Sequence, residues 1–255
     1  MNKKILGAFI ALSAIAFTGC RKDLNGDYRA GFQLVPSNAA KLKIIYASAY
    51  PTNPSVQLKI DGQRVSNLIK GRTPFPGGGL NTTGSNFPDY LALDKGTKSF
   101  SISIPKVGTE TDSIVLFNSN VDLAENAAYT FNVSDTGVNT KTKLIKDTLT
   151  NTSAAVIKYH FVNLIPNAPL LNLYYGTTLV ASNVAFNSEG ISFTMPVPTT
   201  TMAWTVREPG SSTTLATYSS GSSIVGSRIL TVFAMGYKGQ SSTNLKPYVC
   251  FAFNK

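Results

Sequence analysis

Apolar and polar residues alternate with a period of two along most of this chain. Val56, Leu58 and Ile60 are separated by Gln57 and Lys59. Phe100, Ile102 and Ile104 are separated by Ser101 and Ser103, and Tyr129, Phe131 and Val133 by Thr130 and Asn132. Near the C-terminus Met202, Trp204 and Val206 alternate with Ala203 and Thr205. Successive side chains of an extended strand leave opposite faces, so this period sends one face into a core and the other outward. Asp61-Gly62 reads as a hairpin turn, because glycine enters positive φ without steric cost. Helical periodicity is almost absent, and residues 120–128 are the single stretch able to hold a helical turn. Short strands between turn signals describe antiparallel β-sandwiches.

The pattern occurs twice. Pro51-Thr52-Asn53-Pro54 returns as Pro166-Asn167-Ala168-Pro169, 115 residues later. Val56 to Gly62 is followed at an offset of 114–115 by Leu171 to Gly176, and Val65 by Val180 at 115. A strand-like run precedes each Pro-x-x-Pro: Leu42 to Ala47, then Ile157 to Val162. Tyr129-Thr130-Phe131 is echoed by Leu230-Thr231-Val232. Two copies follow, residues 40–150 and 151–255, each the size of an independently folding domain. The connection falls near Lys146 to Ser153.

The order of a strand, Pro-x-x-Pro, a Val-x-Leu-x-Ile-Asp-Gly hairpin, Gly96-Thr97 and a Tyr-Thr-Phe strand resembles domain of unknown function 4397. That domain is often found in tandem in exported bacterial lipoproteins. The resemblance covers residues 40–255 and is closer in the first copy. The second has Tyr175-Gly176 for Asp61-Gly62, and Pro198-Thr199-Thr200 for Lys95-Gly96-Thr97. The resemblance implies tandem immunoglobulin-like sandwiches and carries no catalytic residues.

The N-terminus specifies a location. Lys3 and Lys4 precede an apolar run from Ile5 to Phe17, and Phe17-Thr18-Gly19-Cys20 follows. The run is shorter than the roughly 20 apolar residues that span a bilayer, and a small residue before Cys suits a lipoprotein signal peptidase. Residues 1–19 therefore read as a signal peptide and Cys20 as the lipidated, palmitate-bearing N-terminus. Several acyl chains anchor stably where one is marginal. Leu is commoner than Phe three residues before such a Cys. Arg21 follows Cys20, where Asp would favour inner-membrane retention in Gram-negative bacteria, so the expected location is the outer membrane, facing the periplasm or the cell surface. Residues 20–39, with Asn25-Gly26-Asp27 and Pro36-Ser37-Asn38, read as a flexible tether.

Charge narrows the partners. The net charge is +10, with two of these charges from Lys3 and Lys4, and charged residues make up only 14% of the chain. Residues 41–150 hold 12 Lys/Arg against 9 Asp/Glu, and residues 151–255 hold 6 against 2. No basic block appears, so scattered lysines read as guards of strand edges and nucleic acid is not an expected partner. With Cys20 lipidated, Cys250 has no disulfide partner. It sits in the apolar run Tyr248 to Phe253 as a small hydrophobe.

Catalytic and metal chemistry find little to build on. His160 is the single histidine, and it reads as a strand residue facing solvent or capping a core. Asp61, Asp89 and Asp94, or Asp89 with Glu110, have no spacing that requires them to meet, so no metal site, cofactor or catalytic pair is assigned. There is no Gly-x-Ser-x-Gly elbow, and Gly77-Gly78-Gly79 lacks the Lys-Ser/Thr of a phosphate loop. The offset between copies falls from 115 at Val65/Val180 to 104 at Ile102/Val206, so the first copy carries an insertion within residues 70–90. Phe75, Phe87, Asp89 and Tyr90 form its candidate binding set, with Arg72, Asn81 and Asn86 as further hydrogen-bonding groups. The alternative is that these aromatics pin the loop to the sandwich or cover the junction between copies. Asp112-Ser113-Ile114 and Asp147-Thr148-Leu149 resemble a bacterial O-glycosylation site on Ser113 and Thr148.

The leading expectation is a non-enzymatic binding or adhesion module held to the membrane by lipid on Cys20, with a surface glycan or an envelope protein as partner. A structural component of an envelope assembly is the alternative, and a surface glycan hydrolase ranks third. Cys20→Ala is expected to abolish fatty-acid labelling and to release the protein from membranes or stall the precursor. Unchanged fractionation without label would contradict lipidation.

Overall fold

The computed structural model describes residues 37–72, 77–82, 89–150, 153–219 and 221–255. Cys20, Phe75, Phe87 and the expected leader and tether up to residue 36 lie outside the described residues.

In the first half, β1 (Ala40–Tyr46), β2 (Gln57–Ile60), β3 (Gln63–Arg64), β4 (Gly79–Leu80) and β5 (Leu91–Leu93) are followed by β6 (Gly96–Pro105), β7 (Asp112–Leu123), β8 (Ala128–Ser134) and β9 (Lys141–Lys146). In the second half come β10 (Val156–Asn163), β11 (Leu170–Tyr175), β12 (Thr178–Ala185), β13 (Ile191–Pro196), β14 (Trp204–Arg207), β15 (Ala216–Tyr218), β16 (Ile229–Met235) and β17 (Tyr248–Phe253). The sheets run β3-β2-β6-β7 and β4-β1-β8-β9 in the first half, with β5 also on β1. In the second half they run β12-β11-β14-β15 and β13-β10-β16-β17. The strand order is thus duplicated, and each half is a two-sheet sandwich.

The sandwiches are mixed rather than purely antiparallel. β1 pairs in parallel with β8, and β10 with β16. Parallel neighbours need a long crossover, and here the intervening chain supplies it by building the opposite sheet. Residues 120–128 form no helical turn. They finish β7 and turn into β8 through Asn126 at φ 57°, a left-handed conformation that asparagine tolerates.

Each sandwich closes on its own core. In the first, Leu42, Ile44 and Tyr46 of β1 meet Leu58, Phe100 and Ile102 of the opposite sheet, and Phe100 stands edge-on to Phe131 at 5.0 Å. In the second, Trp204 is fully buried with Tyr175 at 4.8 Å, Tyr159 at 4.9 Å and Phe251 at 5.6 Å. Its indole N–H donates to Ser223 at 3.0 Å, so the ring is buried without losing a hydrogen bond. Met202 departs from the expected alternation. It lies in the connection before β14 and is 49% exposed.

A third cluster joins the halves. Ile45, Ala47 and Ile145 from the outer face of β1 and β9 pack against Val162, Phe233, Met235, Cys250 and Ala252 from the outer face of β10, β16 and β17. Thr130 and Asn132, expected to point outward, are each 1% exposed because the second sandwich covers them. Gln57 is buried too, for a local reason: its amide donates to Ser103 Oγ at 3.2 Å and Asp112 Oδ1 at 2.8 Å. Residues from Ser37 to Lys255 therefore form one compact unit.

Heat should unfold this unit in a single transition, followed in parallel by tryptophan fluorescence and circular dichroism. Trp204→Ala is expected to destabilise it by about 3–5 kcal/mol, the usual cost of an aromatic-to-alanine cavity. Two resolved transitions would show that the third cluster does not couple the halves.

Candidate functional site

Packing the two sheets face to face leaves a cleft at one end of the seam. It has a volume of about 550 Å³ and is walled by the end of β9 with Asp147 and Thr148, by Lys158 to His160 of β10, and by Glu189 to Thr194 at the start of β13. Such a volume lies within the roughly 300–1,000 Å³ usual for small-molecule sites. β13 is an edge strand, so Ser192 and Thr194 present exposed hydroxyls. Phe193, between them, stacks on Tyr159 at 5.2 Å with rings inclined by 21°.

His160 anchors the wall. Its Nδ1 shares a hydrogen bond with Ser192 Oγ at 2.8 Å across the β10–β13 pair. Gly190, at φ +76°, is needed beside it, because a Cβ there would stand 2.4 Å from the Phe161 carbonyl and 2.9 Å from His160 Nε2. Burial lowers the His160 pKa below 6.5, against the opposing pull of the Glu189 carbonyl and charge. Ser192, His160 and Glu189 do not form a relay of hydroxyl, imidazole and carboxylate. Lys143 holds the Glu189 carboxylate at 2.6 Å, leaving it committed to the bridge between sandwiches rather than to orienting the ring as a triad acid would. Beside it, Asn187 donates to the Thr142 carbonyl at 3.2 Å.

The cleft floor opens onto a buried polar cluster. Lys43, with no exposed surface, donates to the Phe253 carbonyl and lies 3.5 Å from Asn254 Oδ1. The Tyr90 ring covers its ammonium at 4.4 Å. Asp147 accepts from Tyr90 OH at 3.0 Å and from Thr130 Oγ1 at 2.9 Å, and Asn254 Nδ2 reaches it at 3.4 Å. Asn254 Nδ2 also donates to Thr231 Oγ1 at 3.0 Å. Burial pushes the Lys43 pKa down to about 8, although Asp147 and Asp89 pull it up. Burial likewise raises the Asp147 carboxyl, against its hydrogen bonds and Lys43.

The residues expected in the loop fall differently. Tyr90 is held by Asp147 at the junction, and Asp89 acts on Lys43 there. With its amide oriented to satisfy both neighbours, Asn81 donates to Asp89 at 3.3 Å and accepts from Leu91 N at 2.8 Å. Arg72 stacks over the Tyr248 ring at 3.2 Å at the other end of the seam. Nearby Cys250 is fully buried, which lifts its thiol to about 12. Among the described residues no group of three or more His, Cys, Asp or Glu could hold a metal ion. Sequence reasoning missed Lys43, Asp147 and Asn254 as a group. Lys43 reads as an edge lysine until the apolar Ile45 and Ala47 on its own face are weighed.

This is a tandem sandwich whose site belongs to the seam rather than to either copy. The chain belongs to the family described as domain of unknown function DUF4397, whose match spans residues 40–174. No curated protein matches the sequence. Among solved structures, the family 26 carbohydrate-binding module of Eubacterium rectale Amy13K, in complex with maltoheptaose, is similar at 13% identity. That match covers 80% of this chain and 95% of that one, with a TM-score of 0.24. A streptococcal virulence factor described for α-glucan binding is similar at 11% identity, covering 83% and 96%, with a TM-score of 0.24. A protein of Bacteroides uniformis, described as a candidate in cell adhesion, is similar at 10% identity, covering 86% and 99%, with a TM-score of 0.21. Likenesses this slight do not bear on the ligand.

Because burial holds His160 below its ordinary pKa, an unfolded chain takes up that proton first as pH falls. The native state then loses stability as pH drops below about 6.5 towards the depressed native value, and is indifferent to this group above it. His160→Gln should flatten that part of the acid slope in melting curves. Equal slopes in both proteins would show that the ring is not held neutral.

Proposed function

We propose that this protein is a lipid-anchored, non-enzymatic binding module of the outer membrane, and that a surface glycan seats in the cleft between its sandwiches. The cleft carries the reading. It joins the hydroxyls of Ser192, Thr194 and Thr148 to the ammonium of Lys158 beside Phe193. Sugar hydroxyls both donate and accept, and this mixed set suits them. The Gly19-Cys20 junction supports the anchor, and a rigid β-scaffold suits a module that presents a site. The engagement of Glu189 by Lys143 favours binding over hydrolysis.

Phe75 and Phe87 remain part of the proposal as aromatic platforms in the inserted loop. Asp89 and Tyr90, set into the junction, are assigned to holding that loop in place. A second reading rests on β7, a twelve-residue edge strand with Ile114 and Val115 each more than half exposed. Edge strands of this kind pair with other chains, which suits the assembly role.

A glycan array followed by calorimetry tests the first reading. Binding should be weak and salt-tolerant. Ser192→Ala with Lys158→Ala should weaken it about tenfold, or about 1.4 kcal/mol, with the fold retained by circular dichroism. Loss of binding in Phe75→Ala and Phe87→Ala, with the cleft variants unaffected, would move the site to the loop. No glycan bound, together with self-association abolished by Val115→Lys, would favour assembly.

A further inference from the structure

We propose that Lys43 and Asn254 join in an intramolecular isopeptide bond that ties the first strand of the first sandwich to the end of the last strand of the second. The geometry comes from sheet packing. Lys43 points outward from β1 into the seam, and Asn254 follows β17 across that seam. Lys43 Nζ is 3.5 Å from the Asn254 side-chain carbonyl oxygen, the atom bonded to the carbon it would attack. The Phe253 carbonyl accepts from the same Nζ and holds it beside the next residue. Both residues are almost completely buried, at 0% and 3% exposure, so water is a poor competitor for the amide carbon.

Asp147 stands at the leaving group, with Asn254 Nδ2 3.4 Å from its Oδ1. Tyr90 and Thr130 fix that carboxyl from the other side at 3.0 Å and 2.9 Å. The step balances without an oxidant or a co-reactant. The neutral Lys43 amine adds through its lone pair to Asn254 Cγ, forming the Nζ–Cγ bond. Asp147, in its carboxylic acid form, gives a proton to Nδ2 and takes one from Nζ. The Cγ–Nδ2 bond then breaks with its electron pair, and ammonia leaves. Products are one secondary amide and one ammonia, and Asp147 ends as it began.

Burial works in the required direction on both partners. It favours the unprotonated amine of Lys43 and the protonated carboxyl of Asp147, and desolvation is how enzymes raise the nucleophilicity of a lysine. Asp147 and Asn254 also border the cleft, which gives the released ammonia a way out.

Tryptic mapping of the folded full chain, after denaturation, tests the bond. In a linked protein trypsin cannot cut after Lys43, and it does not cut at Lys246 because Pro247 follows. Residues 42–59 and 239–255 should therefore appear as one branched species, lighter than the combined mass of those two peptides by one ammonia. Asn254→Asp should give the same branched pair, with water rather than ammonia lost relative to its own unlinked chain. Lys43→Arg and Asp147→Asn should give separate peptides, with folding checked by circular dichroism. Full recovery of wild-type residues 44–59 as a free peptide after prolonged incubation of folded protein would overturn the proposal. A link from Lys43 to Asp147 instead would also overturn it.

Discussion

The outer face of β1, β8 and β9 is covered by the outer face of β10, β16 and β17, and the rest of the molecule follows from that covering. A sandwich normally leaves its outer faces wet, which is why strands alternate. Here two such faces meet, and everything polar on them has to be satisfied without solvent or pay for its burial. Apolar residues carry the middle of the seam, from Ile45 and Ile145 to Phe233 and Cys250. Polar residues gather at one end, where Lys43, Thr130, Asp147, Thr231 and Asn254 satisfy one another. The same end carries the Lys143–Glu189 bridge and the cleft. Binding surface and buried cluster are two sides of one boundary.

The two copies share a strand order but not a role. In the second, β13 is a continuous six-residue edge beside β10. In the first, the corresponding edge of β1 is divided between β4 and β5, and the inserted loop lies between them. The insertion thus interrupts an edge strand and returns the chain to β1 at Asp89 and Tyr90. Its return point faces Lys43, so a difference in length between the repeats becomes a difference in chemistry at the seam.

The period of two made each internal core legible, and the Pro-x-x-Pro repeat made the duplication legible. Leu58, Phe100, Phe131 and Val206 face inward as their spacing requires. The burial of Thr130, Asn132 and Gln57 was not legible, because alternation records which side of a strand meets its own core and nothing of what lies on the other side. A fainter signal did exist. Ile44 to Ala47 and Leu230 to Met235 are almost continuously apolar, as strands buried on both faces are. Parallel pairing was hidden for a different reason: it depends on where the chain crosses between sheets. His160 read as a simple strand histidine, since its partner Ser192 is brought to it only by the β10–β13 register.

The position of Lys43 explains why a lysine is tolerated inside the seam and why it is reactive there. A buried ammonium loses its hydration, and the Phe253 carbonyl and the Tyr90 ring return only part of that loss. The balance is a pKa near 8 instead of 10.5. Burial thus shifts Lys43 towards the neutral amine, the form able to attack a carbonyl, against the opposing pull of Asp147 and Asp89. The barrier to amide exchange in water comes largely from bringing amine, carbonyl and acid together and from expelling an unprotonated amide anion. In the seam the first problem is solved by packing and the second by Asp147. An ion pair serving stability alone would be better placed at the surface, where neither charge gives up its hydration. Burying the amine beside an amide and an acid that burial pushes towards its protonated form makes sense as chemistry.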